Sequence, residues 1–408
     1  MPPWASGIWW ARPRARAGQG SRVLCLLAGA LSLAPCARAD DARSAPPDAR
    51  QVQGAIRQGV NFLQHEQLPS GEFPMLVRWK KRDSPPQPDE AHHGGEPVWT
   101  HDSSSGGTSQ VLYSLQFLPQ DLAADLTTKA AAFLLGEMEA PGVWRYYTKH
   151  NPLHFKFVPD MKDTSLSGLA LLAHRVSFPH DLHALLRYRN PTGGFLTWMI
   201  RPEDIPSDAA VAKDGVLRIH RQFYLQDTSN CMTDVFALAY FAHHGEALPD
   251  LCAQLTQLAL RGPDADATSP YYPISRHAFW LYEFSAAFPY GVAAAYREGA
   301  VCLRPGLEPL AARLHAGQYP DGSWGNASST ALGIAALLDV GESGPVIEHG
   351  VHALLAQQQP DGGWPMEDLE RVEVEATHTL AVYGSRSVVT GLALEALGKY
   401  LKNLPHHR

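Results

Sequence analysis

Two carboxylates and a lysine stand close together in the stretch "PDMKDTSLSGLALLAH", residues 159–174. Asp160 and Asp163 flank Lys162, and a run of small and apolar residues follows them. Paired carboxylates are the usual groups for general acid and base catalysis, but an aspartate before an apolar helix is also a common N-terminal cap. The stretch therefore predicts either an acid–base site or a helix cap in which Lys162 forms an ion pair between the two aspartates.

The composition indicates a large globular protein that does not bind nucleic acid. The chain has 408 residues, of which 45% are hydrophobic and 18% are charged, and this balance suits a sizeable core. A net charge of -7 leaves no basic excess to neutralise phosphates. For the same reason, charge alone does not draw the chain to an anionic membrane.

The N-terminus has the pattern of a secretory signal. Arginines precede the apolar run "VLCLLAGALSLAP", which is too short to span a bilayer, and Ala37 and Ala39 provide the small residues of a cleavage site. We predict a signal peptide over residues 1–39 that is cleaved after Ala39, a linker over 40–47, and a periplasmic or secreted protein.

The mature chain would keep an odd number of cysteines, Cys231, Cys252 and Cys302. One disulfide with a free thiol and three buried thiols are both compatible with this number. No cysteine and histidine spacing indicates zinc, and we predict neither a metal nor a cofactor.

The main pattern beyond residue 48 is a repeat. "LHAGQYPDGSWG" and "LLAQQQPDGGWP" share the spacing Leu-x3-Gln-x3-Gly-x-Trp, which predicts a helix, a tight turn at the glycine and an aromatic packed on the junction. The glutamine amide is placed to satisfy backbone groups at a helix end. A sixth copy, near residues 255–273, has lost the pattern, and three weaker copies lie upstream at Gln67, Gly71 and Phe73, at Met138, Gly142 and Trp144, and at Arg189, Gly193 and Phe195.

Each turn is followed by a second helix that is apolar nearly all round, whereas the helices before the turns are amphipathic. This contrast predicts six inner helices surrounded by six outer ones, an all-α (α/α)6 toroid that forms one domain over residues 48–404. No strand is predicted. The long segments 77–99 and 200–224 are interpreted as loops that could cover a cavity, and the inner helices are predicted to start at His101, Asp163, Asp227, Ser275, Ala327 and Ser385.

These repeats resemble the QW motifs of squalene-hopene and oxidosqualene cyclases, and the ring resembles the toroid shared by class II terpene cyclases and protein prenyltransferases. Class II cyclases carry Asp-x-Asp-Asp-Thr at an inner-helix start, where the middle aspartate is the acid that protonates an alkene or epoxide. Here the motif reads Asp160-Met161-Lys162-Asp163-Thr164. The acid is thus replaced by Lys162, and an ammonium group between two carboxylates is a very poor proton donor.

In a toroid the starts of all inner helices point to one end, so polar residues near these starts are predicted to converge. Helix N-termini also favour anionic groups such as a phosphate, carboxylate or sulfate on a ligand. Aromatic residues around the same starts could line a hydrophobic pocket and stabilise a cation. The candidate catalytic residues are Asp102, Asp160, Lys162, Asp163 and Asp227, and the candidate binding residues are Trp99, His101, Trp144, Tyr146, Tyr224, Arg276, Trp280, Tyr383 and Arg386.

The resemblance implies an exported, terpene-cyclase-like toroid that acts on or binds a small hydrophobic molecule, isoprenoid or lipid-like, in a central cavity. It also allows contact with a membrane surface. Two alternatives remain open at this point. One is an (α/α)6 polysaccharide lyase or glycoside hydrolase that uses paired carboxylates. The other is a non-catalytic lipid-binding protein on a cyclase scaffold.

Overall fold

Helices alternate between an outer and an inner position along the chain. The computed structural model describes residues 46–81, 98–207, 221, 224, 230–262, 286–374 and 379–404. The predicted signal peptide, most of the predicted linker and the candidates Asp227, Arg276 and Trp280 lie outside these residues. The described residues belong to one unit, Arg43–Arg408, and contain twelve α-helices and four strands.

The outer helices bury one face each. They are α1 (Ala49–Glu66), α3 (Ala124–Glu137), the short α5 (Leu182–Leu185), α7 (Pro249–Arg261), α9 (Arg304–Gly317) and α11 (Pro345–Ala356). The inner helices are buried over most of their circumference. They are α2 (Ser105–Leu115), α4 (Met161–Ala173), α6 (Cys231–His243), α8 (Ala287–Arg297), α10 (Ala327–Asp339) and α12 (Arg386–Asn403).

Each inner helix packs on the next one, and α12 packs on α2, which closes the ring. The predicted (α/α)6 toroid is therefore confirmed. Some helix starts differ from the prediction: α2 begins at Ser105, α4 at Met161 and α6 at Cys231. In each case the polar residue just before the first helical one is the N-terminal cap. The inner helix expected from Ser275 is described as Ala287–Arg297, and its predicted first turns fall outside the described residues.

The repeat residues hold each turn to its neighbours. The amide Nε2 of Gln318 donates to Gly322 O at 2.9 Å and to Val346 O, in the next outer helix, at 2.7 Å. Gln358 donates in the same way to Gly362 O at 2.8 Å and to Ala55 O at 2.9 Å. Because Ala55 lies in α1, this last glutamine joins the final repeat to the first.

The tryptophan of three repeat turns is fixed at both of its nitrogens. The indole Nε1 of Trp144 donates to Leu134 O at 2.7 Å, and its backbone N–H donates to Thr164 Oγ1 at 3.0 Å. Trp324 and Trp364 make the equivalent bonds. Thr164, which the resemblance assigns to the acid motif, thus anchors a repeat turn.

A four-stranded antiparallel sheet corrects the expectation that the chain has no strands. Its strands, in the order β2-β1-β4-β3, are β1 (Leu76–Lys81), β2 (Thr100–His101), β3 (Asp368–Val374) and β4 (Thr379–Gly384). Pairing of β1 with β4 joins the first repeat to the last, with Leu76 opposite Gly384. The start of the segment 77–99, which we interpreted as a loop, is therefore part of this sheet.

One disulfide joins Cys252 of α7 to Cys302, and Cys231 is a buried cysteine outside this disulfide. This selects the first of the two cysteine arrangements that the sequence left open. None of the helices among the described residues combines the length and the apolar composition needed to cross a bilayer.

Buried ion pairs join the C-terminal ends of three inner helices. Lys399 of α12 lies 2.7 Å from Glu395 Oε1 and 2.6 Å from Asp339 Oδ2 at the end of α10. Arg297, at the end of α8, reaches Asp339 at 3.0 Å and Glu298 at 2.9 Å. The charges at this end of the ring therefore compensate one another.

Replacement of Gly362 by alanine tests the close contact at the ring closure. Gly362 has φ +90°, and an added Cβ would lie 2.4 Å from Gln58 O, whereas Gly341 has φ +86° and no atom within 4 Å of such a Cβ. We expect Gly341→Ala to cost about 1 kcal/mol through left-handed backbone alone, and Gly362→Ala about 2 kcal/mol more through steric overlap. Equal losses in urea unfolding of the two variants would contradict this role of Gly362.

Candidate functional site

Most of the described candidate residues lie at the end of the ring where the inner helices begin. The sheet lies at this end, because β2 leads into α2 and β4 leads through Ser385 into α12. Glu370 on β3 brings a further carboxylate close to the start of α4, where its charge acts on Lys162. The site is therefore assembled from three distant parts of the chain.

Asp160 caps α4, and its Oδ1 accepts the N–H of Asp163 at 2.9 Å. Lys162 Nζ lies 3.0 Å from Asp163 Oδ1, and both side chains are buried. Burial alone would lower the pKa of Lys162, but the charges of Asp163, Asp160 and Glu370 outweigh it, and the pKa is raised. Lys162 is therefore a buried ammonium group that holds its proton more tightly than a lysine in water.

Glu370 is a site residue that the sequence reasoning missed. It is buried on β3, and burial raises its pKa to about 7; Lys162 opposes this rise, while the charges of Asp163 and Asp102 add to it. A carboxyl group with this pKa exchanges a proton near neutral pH. The alternating pattern of "DLERVEV" was the available signal, since it is typical of a strand with one buried face.

Asp102 precedes α2 and is half-buried. Its Oδ1 accepts a hydrogen bond from Asn151 Nδ2 at 2.6 Å, and Tyr383 also bonds its side chain. Burial raises the pKa of Asp102 even though the bonds from Asn151 and Tyr383 lower it. We call Asp160, Lys162, Asp163 and Glu370 the Lys162 cluster. Asp102 lies beside it, and the charge of Asp102 contributes to the raised pKa of Glu370.

A continuous group of aromatic rings borders these polar residues. The hydroxyls of Tyr147 and Tyr383 are 3.1 Å apart, and Lys162 Nζ lies 5.8 Å from the ring centroid of Tyr146. Burial is the main cause of the raised pKa of Tyr146 and of Tyr383, so these hydroxyls stay protonated. Neighbouring rings contact one another along the series Tyr383, Tyr146, Tyr147, Phe157, Trp198 and Tyr224.

Two candidates lie at the rim of the site. The His101 ring is exposed, and its Nε2 lies 3.1 Å from Glu72 Oε1. Trp99 is half-buried, with the Arg78 guanidinium carbon 4.5 Å above its ring. Both residues occupy the segment that leads from β1 into α2.

Two other candidates belong to the repeat turns instead. Trp144 packs edge-to-face on Phe178 with 5.5 Å between the ring centroids. The guanidinium of Arg386 bonds Asp361 and Gln359 in the turn after α11. Because their polar groups are held by these turns, neither residue joins the Lys162 cluster.

Several buried polar atoms of the site have no hydrogen-bond partner among the described residues. They are Asp163 Oδ2, Glu370 Oε2, Tyr146 Oη and Ser165 Oγ. Unpaired buried polar atoms are rare in folded proteins, and a concentration of them at one place is typical of a site that a ligand or water completes. In the described part of the chain, no group of three histidine, cysteine or acidic residues is arranged to hold a metal ion.

Solved type II terpene cyclases share this fold. A variant of MstE from Scytonema, in complex with geranylgeranyl dihydroxybenzoate, matches with a TM-score of 0.60 and 16% identity over 87% of this chain and 98% of that chain. Apo MstE matches with a TM-score of 0.59 and 17% identity over 87% and 99% of the two chains.

A protein from Actinoplanes also matches with a TM-score of 0.59 and 17% identity, over 85% of this chain and 99% of that chain. No protein-family model and no curated protein sequence matches this chain. The similarity confirms the class II terpene cyclase-like toroid as the fold, and the resemblance read from the repeats is correct at this level.

Replacement of Glu370 by glutamine tests the burial of this carboxyl. Its native pKa of about 7 lies above the ordinary 4.5, so the native state keeps a proton that the unfolded state loses between these values. Ionisation of the buried Glu370 therefore lowers the free energy of unfolding. This loss is absent below pH 4.5, grows between pH 4.5 and pH 7, and reaches about 3 kcal/mol above pH 7. We therefore expect Glu370→Gln to raise the free energy of unfolding at pH 8 and to change it little at pH 4.

The matched control is Glu308→Gln, which removes an exposed carboxylate on α9 and should have little effect at either pH. The measurement is urea unfolding of each variant at both pH values. A Glu370→Gln protein that is no more stable than the wild type at pH 8 would show that ionisation of this carboxyl does not destabilise the native state.

Proposed function

We propose that this chain is an exported, terpene-cyclase-like toroid that binds a hydrophobic isoprenoid or lipid-like molecule in the centre of the ring, at the end where the inner helices begin. The observation that carries the proposal is the series of contacting aromatic rings from Tyr383 to Tyr224 beside buried polar atoms that lack partners. Ligand sites of this kind combine apolar walls with a few convergent polar groups. MstE, which has the same fold, binds a geranylgeranyl substrate.

The aromatic series is suited to the body of such a molecule. Phe157 and Trp198 present tilted rings whose centroids are 5.3 Å apart, and Tyr147 lies 5.2 Å from Phe157. Faces of aromatic rings pack against hydrocarbon chains and also attract cations through their quadrupoles. An isoprenoid tail along this series would bury its apolar surface, which favours binding by roughly 25 cal/mol per Å².

Lys162 decides what reaction the site can support. A buried ammonium with a raised pKa cannot deliver a proton to an alkene, so the ordinary first step of class II cyclisation has no donor at this position. If the bound molecule reacts, Glu370 is the proton carrier to consider first, because its pKa of about 7 leaves part of it protonated near neutral pH. Asp102, whose pKa is raised by burial, is the second acid of the site. Binding without cyclisation is therefore the activity that we propose for the wild-type chain.

The polysaccharide alternative is less well supported. A glycoside hydrolase needs two carboxyl groups that a polymer can reach from solvent. Asp160, Asp163 and Glu370 are 4%, 0% and 6% exposed, which suits a small enclosed ligand better. Export remains part of the proposal, and its support is the N-terminal signal pattern together with the Cys252–Cys302 disulfide, which is typical of oxidising compartments.

The first test is incubation of the purified mature protein with a lipid extract and with defined isoprenoids, followed by mass spectrometry of the retained molecules. We expect an isoprenoid or related lipid to be retained unchanged. If no extract and no pure isoprenoid leaves a retained ligand or a product, the proposal fails.

The second test restores the missing acid. Lys162→Asp recreates a carboxyl between Asp160 and Asp163, and we expect measurable cyclisation of a geranylgeranyl compound that the wild type only binds. Lys162→Asn is the matched control, because it removes the same cation without adding an acid. Cyclised product from Lys162→Asn or from the wild type would contradict the role assigned to Lys162.

A further inference from the structure

The charges at the site are predominantly negative. Asp160, Asp163 and Glu370 are buried and Asp102 is half-buried, while Lys162 is the buried cation among them. Its ammonium group is already engaged 3.0 Å from Asp163 Oδ1. An incoming anion would therefore meet several carboxylates and a cation whose charge is neutralised by its neighbours.

Arginines described around this end of the ring do not offset this excess. Arg78 lies 2.7 Å from Asp368 Oδ1, and Arg145 lies 2.6 Å from Glu139 Oε1. Arg386 lies 2.8 Å from Asp361 Oδ2. Each of these guanidinium groups is thus paired with a carboxylate, and Asp368 also pairs with Arg371 at 3.4 Å.

Inner-helix N-termini are also occupied, contrary to the expectation that they favour an anionic ligand. Asp160 bonds the first turn of α4, and Glu367 accepts the N–H groups of Ala327 and Ser328 at the start of α10, at 2.7 and 3.1 Å. Uncharged side chains cap three others. They are Ser104 for α2, Asn230 for α6 and Ser385 for α12.

Two of the atoms left without partners are carboxyl oxygens, which accept hydrogen bonds when the group is ionised. Asp163 Oδ2 belongs to a side chain that is 0% exposed, and Glu370 Oε2 belongs to a side chain that is buried as well. Lys162 Nζ lies 3.0 Å from Asp163 Oδ1 and 5.8 Å from the ring centroid of Tyr146, and the Glu370 charge acts on both Lys162 and Tyr146, so these groups are gathered around Lys162. A ligand that supplies hydrogen-bond donors would satisfy them.

We infer that the polar end of the bound molecule is a hydrogen-bond donor, a hydroxyl or an ammonium group, and that the site discriminates against phosphate, diphosphate and carboxylate head groups. The inference rests on the proposed function, since it takes the aromatic series as the place of the hydrophobic tail. Asp163 and Glu370 are the residues that contact the head group and determine which head groups bind. Tyr146 supplies the one hydroxyl among them that can either donate or accept.

A set of ligands with one tail and different head groups tests this inference. Geranylgeraniol, geranylgeranylamine, geranylgeranoic acid and geranylgeranyl diphosphate are titrated into the mature protein, and tryptophan fluorescence gives the dissociation constants. We expect the alcohol and the amine to bind at least about tenfold more tightly than the acid and the diphosphate. The alcohol and the amine distinguish a neutral donor from a cationic one.

Variants identify the residues responsible. At pH 8, where Glu370 with its pKa of about 7 is largely ionised, Glu370→Gln and Asp163→Asn each remove a charge with little change in shape, and each should improve diphosphate binding relative to alcohol binding by about threefold to tenfold. Glu308→Gln, which removes an exposed carboxylate on α9, should leave the ratio unchanged. If Asp163→Asn fails to fold because Lys162 loses its partner, Glu370→Gln alone decides the question.

The outcomes separate the two proposals. Equal or tighter binding of the diphosphate or the acid would overturn the head-group inference and leave the lipid-binding proposal standing. No binding of any of the four ligands to folded protein would overturn the lipid-binding proposal and this inference with it. A preference for donors that persists unchanged in Glu370→Gln and Asp163→Asn would overturn the assignment of these two residues.

Discussion

The ring depends on the close approach between each repeat turn and the outer helix of the next repeat. At Gly362 the turn comes so near to Gln58 that no side chain fits, and Gln358 uses this closeness to bond Ala55. The same arrangement recurs at Gly322, where Gln318 bonds Val346. Because the last such contact returns to α1, the linear series of repeats becomes a closed ring, and six inner helices are enclosed where polar groups can be buried.

Buried charged groups are paired to different extents at the two ends of this ring. At the C-terminal ends of the inner helices, Lys399 and Arg297 are matched with Glu395 and Asp339 at hydrogen-bond distance. At the other end Lys162 is matched, but Asp163 Oδ2 and Glu370 Oε2 are left without described partners. A fully compensated network stabilises the fold, whereas buried acceptors without partners impose a cost. Such a cost is tolerated where a ligand relieves it, and this contrast supports the placement of the proposed site at the start of the inner helices.

The proposed replacement of the acid by Lys162 would let a cyclase-like scaffold differ in chemistry without a difference in fold. In the class II pattern that the sequence resembles, the middle position carries the acid. Here Asp160 caps α4 and Asp163 pairs with Lys162, so both carboxylates make structural contacts that do not require proton transfer. Glu370, which approaches from β3, is the group whose pKa of about 7 suits proton exchange near neutral pH.

The sequence by itself determined the ring, its repeat turns and the place of the Asp160–Asp163 cluster. These features follow from local spacing: glutamine, glycine and tryptophan recur at fixed intervals, and apolar periodicity separates inner from outer helices. Only the tertiary structure decided which candidates meet. Trp144 and Arg386 proved to hold repeat turns, and Glu370 entered the site through β3. The physical reason is that pairing of β1 with β4 joins residues about three hundred positions apart, and no local pattern records a contact of that range.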